Sequence, residues 1–93
     1  MKYTLRRRIY FHSNEAGLVA KDVSKVMESE VPPLVGYQFE DRGFGRNDIP
    51  KAESVTITES GVCNVELEPL KVGNAEAVER YYQTALKPND WTE

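Results

Sequence analysis

The chain has 93 residues, a net charge of −3 and a single cysteine, Cys63. This length predicts one small globular domain that spans residues 1–93. One cysteine excludes an intrachain disulfide, and with one histidine it excludes a cysteine–histidine metal cluster within the chain. No apolar run is long enough to cross a bilayer, and no signal-peptide core follows the basic start, so we expect a cytoplasmic protein.

Charge is distributed unevenly along the chain. Lys2, Arg6, Arg7 and Arg8 all precede the first acid, Glu15, and acids outnumber bases in the remainder. Such asymmetry has two explanations. Either the basic segment binds an acidic partner, or the fold packs an acidic segment of the same chain beside it.

Residues 2–12 alternate as expected of a β-strand. One face carries the apolar residues Tyr3, Leu5, Ile9 and Phe11, and the other face carries Thr4, Arg6, Arg8, Tyr10 and His12. Arg7 interrupts the apolar face. The sequence leaves two positions open for Arg7: paired inside the fold, or at the rim of the sheet with its stem buried.

The next segment predicts an amphipathic helix over residues 14–29. Ser13 or Asn14 is a suitable N-cap, and Pro32 would prevent the helix from continuing. Apolar residues recur three and four positions apart, at Ala16, Val19, Ala20, Val23, Val26 and Met27.

Three further strands and a second helix complete the prediction. The strands cover residues 34–41, 54–58 and 62–68, and a loop at 42–51 follows the first of them. The last helix begins at Gly73–Asn74 and ends before Pro88. The order β-α-β-β-β-α predicts an α+β two-layer sandwich, with a four-stranded, mainly antiparallel sheet and both helices on one face.

The predicted order α-β-β-β-α from residue 14 onward resembles that of double-stranded-RNA-binding domains. In that family the second helix begins with a basic cluster, whereas residues 73–79 contain two glutamates and no base. RNA binding is therefore not transferred. The β-α-β-β start also resembles ferredoxin-like folds, whose element order implies no particular activity.

The basic strand is the first candidate site. Arg6, Arg8 and Tyr10, with Arg46 from the loop, could hold nucleic acid by neutralising phosphates and stacking bases. The alternative is that Arg6 and Arg8 lie opposite Glu66 and Glu68 on a neighbouring strand, which needs no ligand. Which alternative holds depends on whether strands 2–12 and 62–68 are adjacent, and the sequence does not specify this.

The loop at residues 41–48 is the second candidate. Its Gly-Phe-Gly sequence lies between Arg42 and Arg46, so backbone N–H groups and guanidinium groups could hold a small anion at residues 42–46. It lacks the third glycine and the following helix of nucleotide-binding loops, and we expect a flexible loop. Phe44 at its tip, and Trp91 near the C-terminus, are candidate anchors for a protein partner, and the alternative for both is packing onto the fold.

These observations predict a small non-catalytic protein-interaction domain without cofactor or metal. It would bind a protein partner, or a second copy of itself, through the open sheet face and the 42–48 loop; the candidate contact residues are Arg42, Phe44, Arg46, Tyr10 and Trp91. The first alternative is a nucleic-acid-binding module that uses Arg6, Arg8, Tyr10 and Arg46. The second alternative is a small-anion binder or an enzyme at residues 42–46.

Overall fold

A computed structural model describes all 93 residues of the chain. The fold is a small α+β arrangement with a mixed five-stranded sheet and one α-helix. The strands are β1 (Lys2–Ser13), β2 (Gly17–Glu28), β3 (Ala52–Ile57), β4 (Cys63–Leu67) and β5 (Leu70–Lys71). Helix α1 (Ala75–Tyr81) continues through a π-helical turn (Tyr82–Leu86) into a 3₁₀ turn (Lys87–Asn89). No helix has the length and apolar character needed to cross a membrane.

Strand β1 lies in the middle of the sheet. The order is β2-β1-β4-β3, and β5 also pairs with β1, on the side of β4. The β1–β2 and β3–β4 pairs are antiparallel hairpins, whereas β1 runs parallel to β4 and β5. The predicted α+β class is therefore right. The sheet is mixed and has five strands rather than four, there is one α-helix rather than two, and the predicted order β-α-β-β-β-α is not matched.

The predicted helix over residues 14–29 is instead the strand β2. It forms a hairpin with β1 in which Ser13 pairs with Gly17 around a three-residue loop. The Ser13 hydroxyl accepts a hydrogen bond from the N–H of Ala16 at 2.9 Å, so the capping chemistry expected of a helix start stabilises a turn. Gly17 has φ +67°, the left-handed geometry that three-residue hairpin loops require after the turn. Without this helix, the resemblance to the double-stranded-RNA-binding order disappears.

The predicted strand at residues 34–41 is also wrong. A turn in which Tyr37 N–H donates to Leu34 O (3.1 Å) reverses the chain there, with Gly36 at φ +92°. Only one isolated bridge forms, between Gln38 and Lys51. Tyr37 and Val35 are exposed, and of the apolar residues in this segment only Phe39 packs against the core.

The irregular segment 29–51, the connection, joins β2 to β3. It lies on the same face of the sheet as α1, as the contacts of Phe39 with Tyr3 and of Phe44 with Arg7 demonstrate. The core forms between these layers and contains Leu5, Ile9, Val23, Val65, Leu67, Leu86 and Trp91 as its fully buried side chains. The prediction for the last helix is confirmed at its start, because Asn74 Oδ1 accepts the N–H of Ala77 at 2.8 Å.

Candidate functional site

The face of the sheet opposite α1 has no covering layer and is the open face. Burial alternates along β1 as the sequence predicts: Leu5 and Ile9 are buried, while Arg6, Arg8 and His12 are exposed and Tyr10 is half-buried. The open face also contains Lys71, which pairs with Tyr10 across the β1–β5 ladder. Lys71 could not be assigned to the sheet from the sequence, because the two-residue strand β5 follows a proline and has no periodicity of its own.

The arginines of the open face have acidic neighbours from two strands. Arg6 lies opposite Glu66 in the parallel β1–β4 ladder, so the strands at 2–12 and 62–68 are indeed adjacent. Arg8 donates from Nε and from one terminal nitrogen to Asp22 of β2, at 2.8 and 3.2 Å. These hydrogen bonds raise the pKa of Arg8 and lower that of Asp22.

The expected pairing of Arg8 with Glu68 is therefore wrong. Strand β4 ends at Leu67, and the Glu68 carboxylate instead accepts the N–H of Lys51 at 2.7 Å. Positive and negative charges alternate on the open face, and this balance leaves no continuous basic track for a phosphate backbone.

Arg7 is paired inside the fold. Its side chain is only 2% exposed, and its two terminal nitrogens donate to both carboxylate oxygens of Asp48, at 2.6 and 2.8 Å. Its Nε donates to the carbonyl of Glu68 at 2.8 Å, and its guanidinium lies 4.6 Å from the ring centroid of Phe44. Arg7 thus joins the centre of the sheet to the connection.

The loop at 41–48 packs against the core. Phe44 is buried, with its ring centroid 5.2 Å from that of Trp91, which is itself fully buried. The Tyr81 hydroxyl donates to the carbonyl of Gly43 at 2.8 Å. Phe44 and Trp91 therefore occupy the packed alternative that the sequence left open, and neither is exposed for a partner.

The basic residues of this loop do not join the arginines of β1. Arg42 and Arg46 are exposed and form no ion pair. Because the loop packs on the covered face, Arg46 lies on the opposite side of the sheet from Arg6 and Arg8. The N–H of Gly43, which in the anion-binding alternative would face an anion, donates to the Asp41 carboxylate at 2.8 Å.

Asp41 is the polar centre of the loop, and its side chain is 4% exposed. Burial favours the protonated acid, but hydrogen bonds from Lys25 Nζ, Trp91 Nε1 and the N–H of Gly43 outweigh it and hold the pKa of Asp41 below its ordinary value of 3.8. The folded chain therefore binds the proton more weakly than the unfolded chain.

We expect this carboxylate to make the fold acid-sensitive. Its contribution is complete well above the ordinary pKa of 3.8 and is lost as the pH falls through the lowered pKa, so the free energy of unfolding should decrease as the pH falls below about 5. Urea unfolding across this range measures the slope. Asp41→Asn should flatten the slope, whereas the exposed neighbour Glu40→Gln should leave it unchanged. An unaltered slope in Asp41→Asn would contradict the assignment.

Strand β3 lies at one edge of the sheet, and only its start is covered from outside. Gly36 N–H donates to Ala52 O at 2.9 Å, and Ala52 N–H donates to Tyr37 O at 2.8 Å. Past Ala52 no backbone segment hydrogen-bonds to the outer side of the strand. At the opposite edge of the sheet, by contrast, Ser24 of β2 exchanges two backbone hydrogen bonds with Thr92.

Backbone groups along the uncovered part of β3 alternate in direction. The N–H of Thr58 donates to the carbonyl of Val62 at 2.8 Å, across the hairpin. This bond shows which residues of β3 direct their backbone groups toward β4. In antiparallel pairing, alternate residues direct both backbone groups toward the partner strand. Ser54 and Thr56 therefore pair with β4, and the N–H and C=O groups of Val55 and Ile57 point away from the sheet.

Side chains at this edge are apolar and accessible. Ile57 is 70% exposed because no strand lies beside it, and Val55 is half-buried. Between the bulge at Glu53 and the turn at Glu59 there is neither proline nor charge to prevent pairing. Residues 53–59 form what we term the β3 edge. The strand can be predicted from the sequence but its position at the edge cannot, since strand order is not encoded locally.

The side chains that could bind a metal or act in catalysis do not cluster. No three His, Cys, Asp or Glu side chains lie close enough together to hold a metal ion. Cys63 is buried in the core, and His12 is exposed on the open face. Comparison with protein-family models, with curated proteins and with solved structures found no match to this chain.

Proposed function

We propose that this chain is a protein-interaction domain that binds an extended segment of another protein by adding it as a strand at the β3 edge. The observation that supports this is the uncovered backbone of Val55 and Ile57. An antiparallel segment opposite these two residues could form four backbone hydrogen bonds, two with each residue. Recognition by strand addition gains affinity from such bonds and specificity from alternate side chains.

Side chains add to the backbone complementarity. Residues directly opposite each other in a sheet lie on the same face. Two apolar side chains of the added segment would therefore cover Ile57 and Val55, and extend the core layer beyond its present edge. The buried area is small, so we expect a weak or transient complex.

A second copy of this chain fits the edge poorly. A two-fold pairing that uses both outward residues sets Val55 of one copy opposite Ile57 of the other, with Thr56 at the centre. The same register brings the bulge at Glu53 of each copy near the turn at Glu59 of the other. Like charges close to each other are unfavourable, so the edge favours a foreign segment over self-association.

Nucleic acid is less well supported than a protein segment. The open face does carry Arg6, Tyr10 and Lys71, but Glu66 and Asp22 lie among them. Arg46 is on the other side of the sheet. The interaction surface we favour also differs from the one expected from the sequence, since the loop around Phe44 is packed against the core.

The test is an NMR titration of the domain with three acetylated and amidated peptides. All share the core Thr-Val-Thr-Val-Thr, and one lysine, one serine or one glutamate flanks each end. We expect the amide signals of Val55 and Ile57 to shift and saturate with at least one peptide. If none of the three peptides shifts these signals, the proposed function is wrong.

Two substitutions locate the binding surface. Ile57→Lys places a charge in the β3 edge and should weaken binding of the serine-flanked peptide at least about tenfold. Val26→Lys is the matched control, because Val26 is also β-branched and is 66% exposed, but lies on β2 at the other end of the strand order. Equal weakening by both substitutions would place the peptide elsewhere.

A further inference from the structure

All charged side chains of the β3–β4 hairpin are acidic. From Ala52 to Leu70 the chain contains no lysine and no arginine, but four glutamates: Glu53, Glu59, Glu66 and Glu68. All four are exposed. None takes part in an ion pair, although five other acids of the chain do.

Glu53 and Glu59 are placed differently from the other two. Glu66 has Arg6 as its ladder neighbour, and the Glu68 carboxylate accepts a backbone N–H. Glu53 and Glu59 lie at the two ends of the β3 edge and have no basic neighbour in the ladder. They bracket the outward backbone groups of Val55 and Ile57.

On the basis of the proposed function, we infer that the segment bound at the β3 edge is basic, with a lysine or arginine at each end of a short apolar alternation. In antiparallel pairing the residues opposite Ile57 and Val55 are two positions apart in the segment. Glu59, in the turn, and Glu53, at the bulge, lie just beyond the two ends of this pairing. The segment therefore has apolar–x–apolar at its centre and a basic residue near each end.

The same arrangement explains why charge selects the partner. Opposite charges facing each other across strands are favourable, and like charges are unfavourable by similar amounts. Each basic residue should strengthen binding a few-fold, so that two basic flanks together contribute about tenfold over neutral flanks. Two acidic flanks should weaken binding about tenfold. Both differences should shrink at high salt, because both pairs lie at the surface.

The three peptides of the titration test this inference directly. We expect affinity to follow the order lysine-flanked, serine-flanked, glutamate-flanked. The double variant Glu53→Gln, Glu59→Gln should abolish this preference while it still binds the serine-flanked peptide. The matched control is Glu15→Gln, Glu30→Gln, which removes two exposed, unpaired glutamates outside the hairpin and should keep the preference.

The possible outcomes separate the two proposals. Equal affinity for the three peptides, or a preference for glutamate flanks, would overturn the inference and leave strand addition standing. Absence of any shift at Val55 and Ile57 would overturn both. Sedimentation of the free domain should show a monomer, whereas a dimer that Ile57→Lys dissociates would identify a second copy as the occupant and overturn the inference.

Discussion

Asp48→Ala should destabilise the fold by about 3 kcal/mol. The substitution leaves the guanidinium of Arg7, which is almost completely enclosed, with only the carbonyl of Glu68 and the ring of Phe44 as neighbours. Removal of one partner from a buried ion pair costs about 3–5 kcal/mol, because the other charge stays desolvated. We expect the lower end, since the Asp48 side chain is 24% exposed. Urea unfolding measures the loss, at a midpoint about 2 M below that of the native chain.

Substitution of Arg7 should cost less stability than substitution of its partner Asp48. Arg7→Met keeps an apolar stem over Phe44 and leaves Asp48 able to reach water, so we expect a smaller loss than for Asp48→Ala. Arg8→Ala removes an ion pair whose arginine side chain is 50% exposed, and it should leave the urea midpoint nearly unchanged. Equal losses for Arg8→Ala and Asp48→Ala would contradict the distinction between the exposed and the buried pair.

Trp91→Ala should have a comparable or larger effect, of about 4 kcal/mol. The indole is fully buried, contacts Phe44 at 5.2 Å between centroids and donates to Asp41 at 3.0 Å. Removal of a buried aromatic side chain costs about 3–5 kcal/mol. In a domain of this size the loss corresponds to a fall in Tm of about 20 °C, measured by circular dichroism.

A conservative substitution separates packing from hydrogen bonding. Trp91→Phe retains an aromatic ring against Phe44, but loses part of the buried ring volume and the N–H donated to Asp41, which keeps its bonds to Lys25 and Gly43. We therefore expect a loss of about 1–2 kcal/mol. A Tm for Trp91→Ala within about 5 °C of the native value would show that the C-terminal residues do not belong to the core.

The alternation of β1 could be predicted from the sequence, and that of β2 could not. In β1 the faces separate cleanly except at Arg7. In β2 the covered face includes Lys21 and Lys25, so an alternating apolar pattern is absent. Their ammonium groups are accommodated by partners outside the strand, over the rings of Tyr82 and Trp91 and beside Glu79, Glu93 and Asp41. The remaining apolar residues then repeat at three and four positions, which is typical of a helix.

Long-range pairing explains the other differences. Arg7 is compatible with a buried position only because Asp48, 41 residues later, is brought to it by the connection. Arg7 stands out in the sequence, but the sequence contains no signal that Asp48 is its partner. The open face was predictable from period-two patterns, whereas the β3 edge depends on strand order, which is a property of the whole fold.

The contacts that hold the connection against the core also position the start of β3. Contacts of Asp48, Phe44 and Asp41 fix the segment that leads into β3, and Glu68 N–H donates to Lys51 O at 3.0 Å just before the strand begins. These contacts therefore hold the β3 edge in position, and the strand would not have to become ordered when a segment binds to it. We expect little backbone change on binding.

Amide hydrogen exchange of single residues shows whether the β3 edge is free and accepts a strand. In the free domain the amides of Val55 and Ile57 should exchange rapidly, while those of Ser54 and Thr56, bonded to β4, should be protected. Saturation with the lysine-flanked peptide should protect Val55 and Ile57 as well, which would make protection continuous along β3. Protection of Val55 and Ile57 in the free monomer would mean that the edge is already paired, and rapid exchange of both in the saturated complex would mean that no strand is added there.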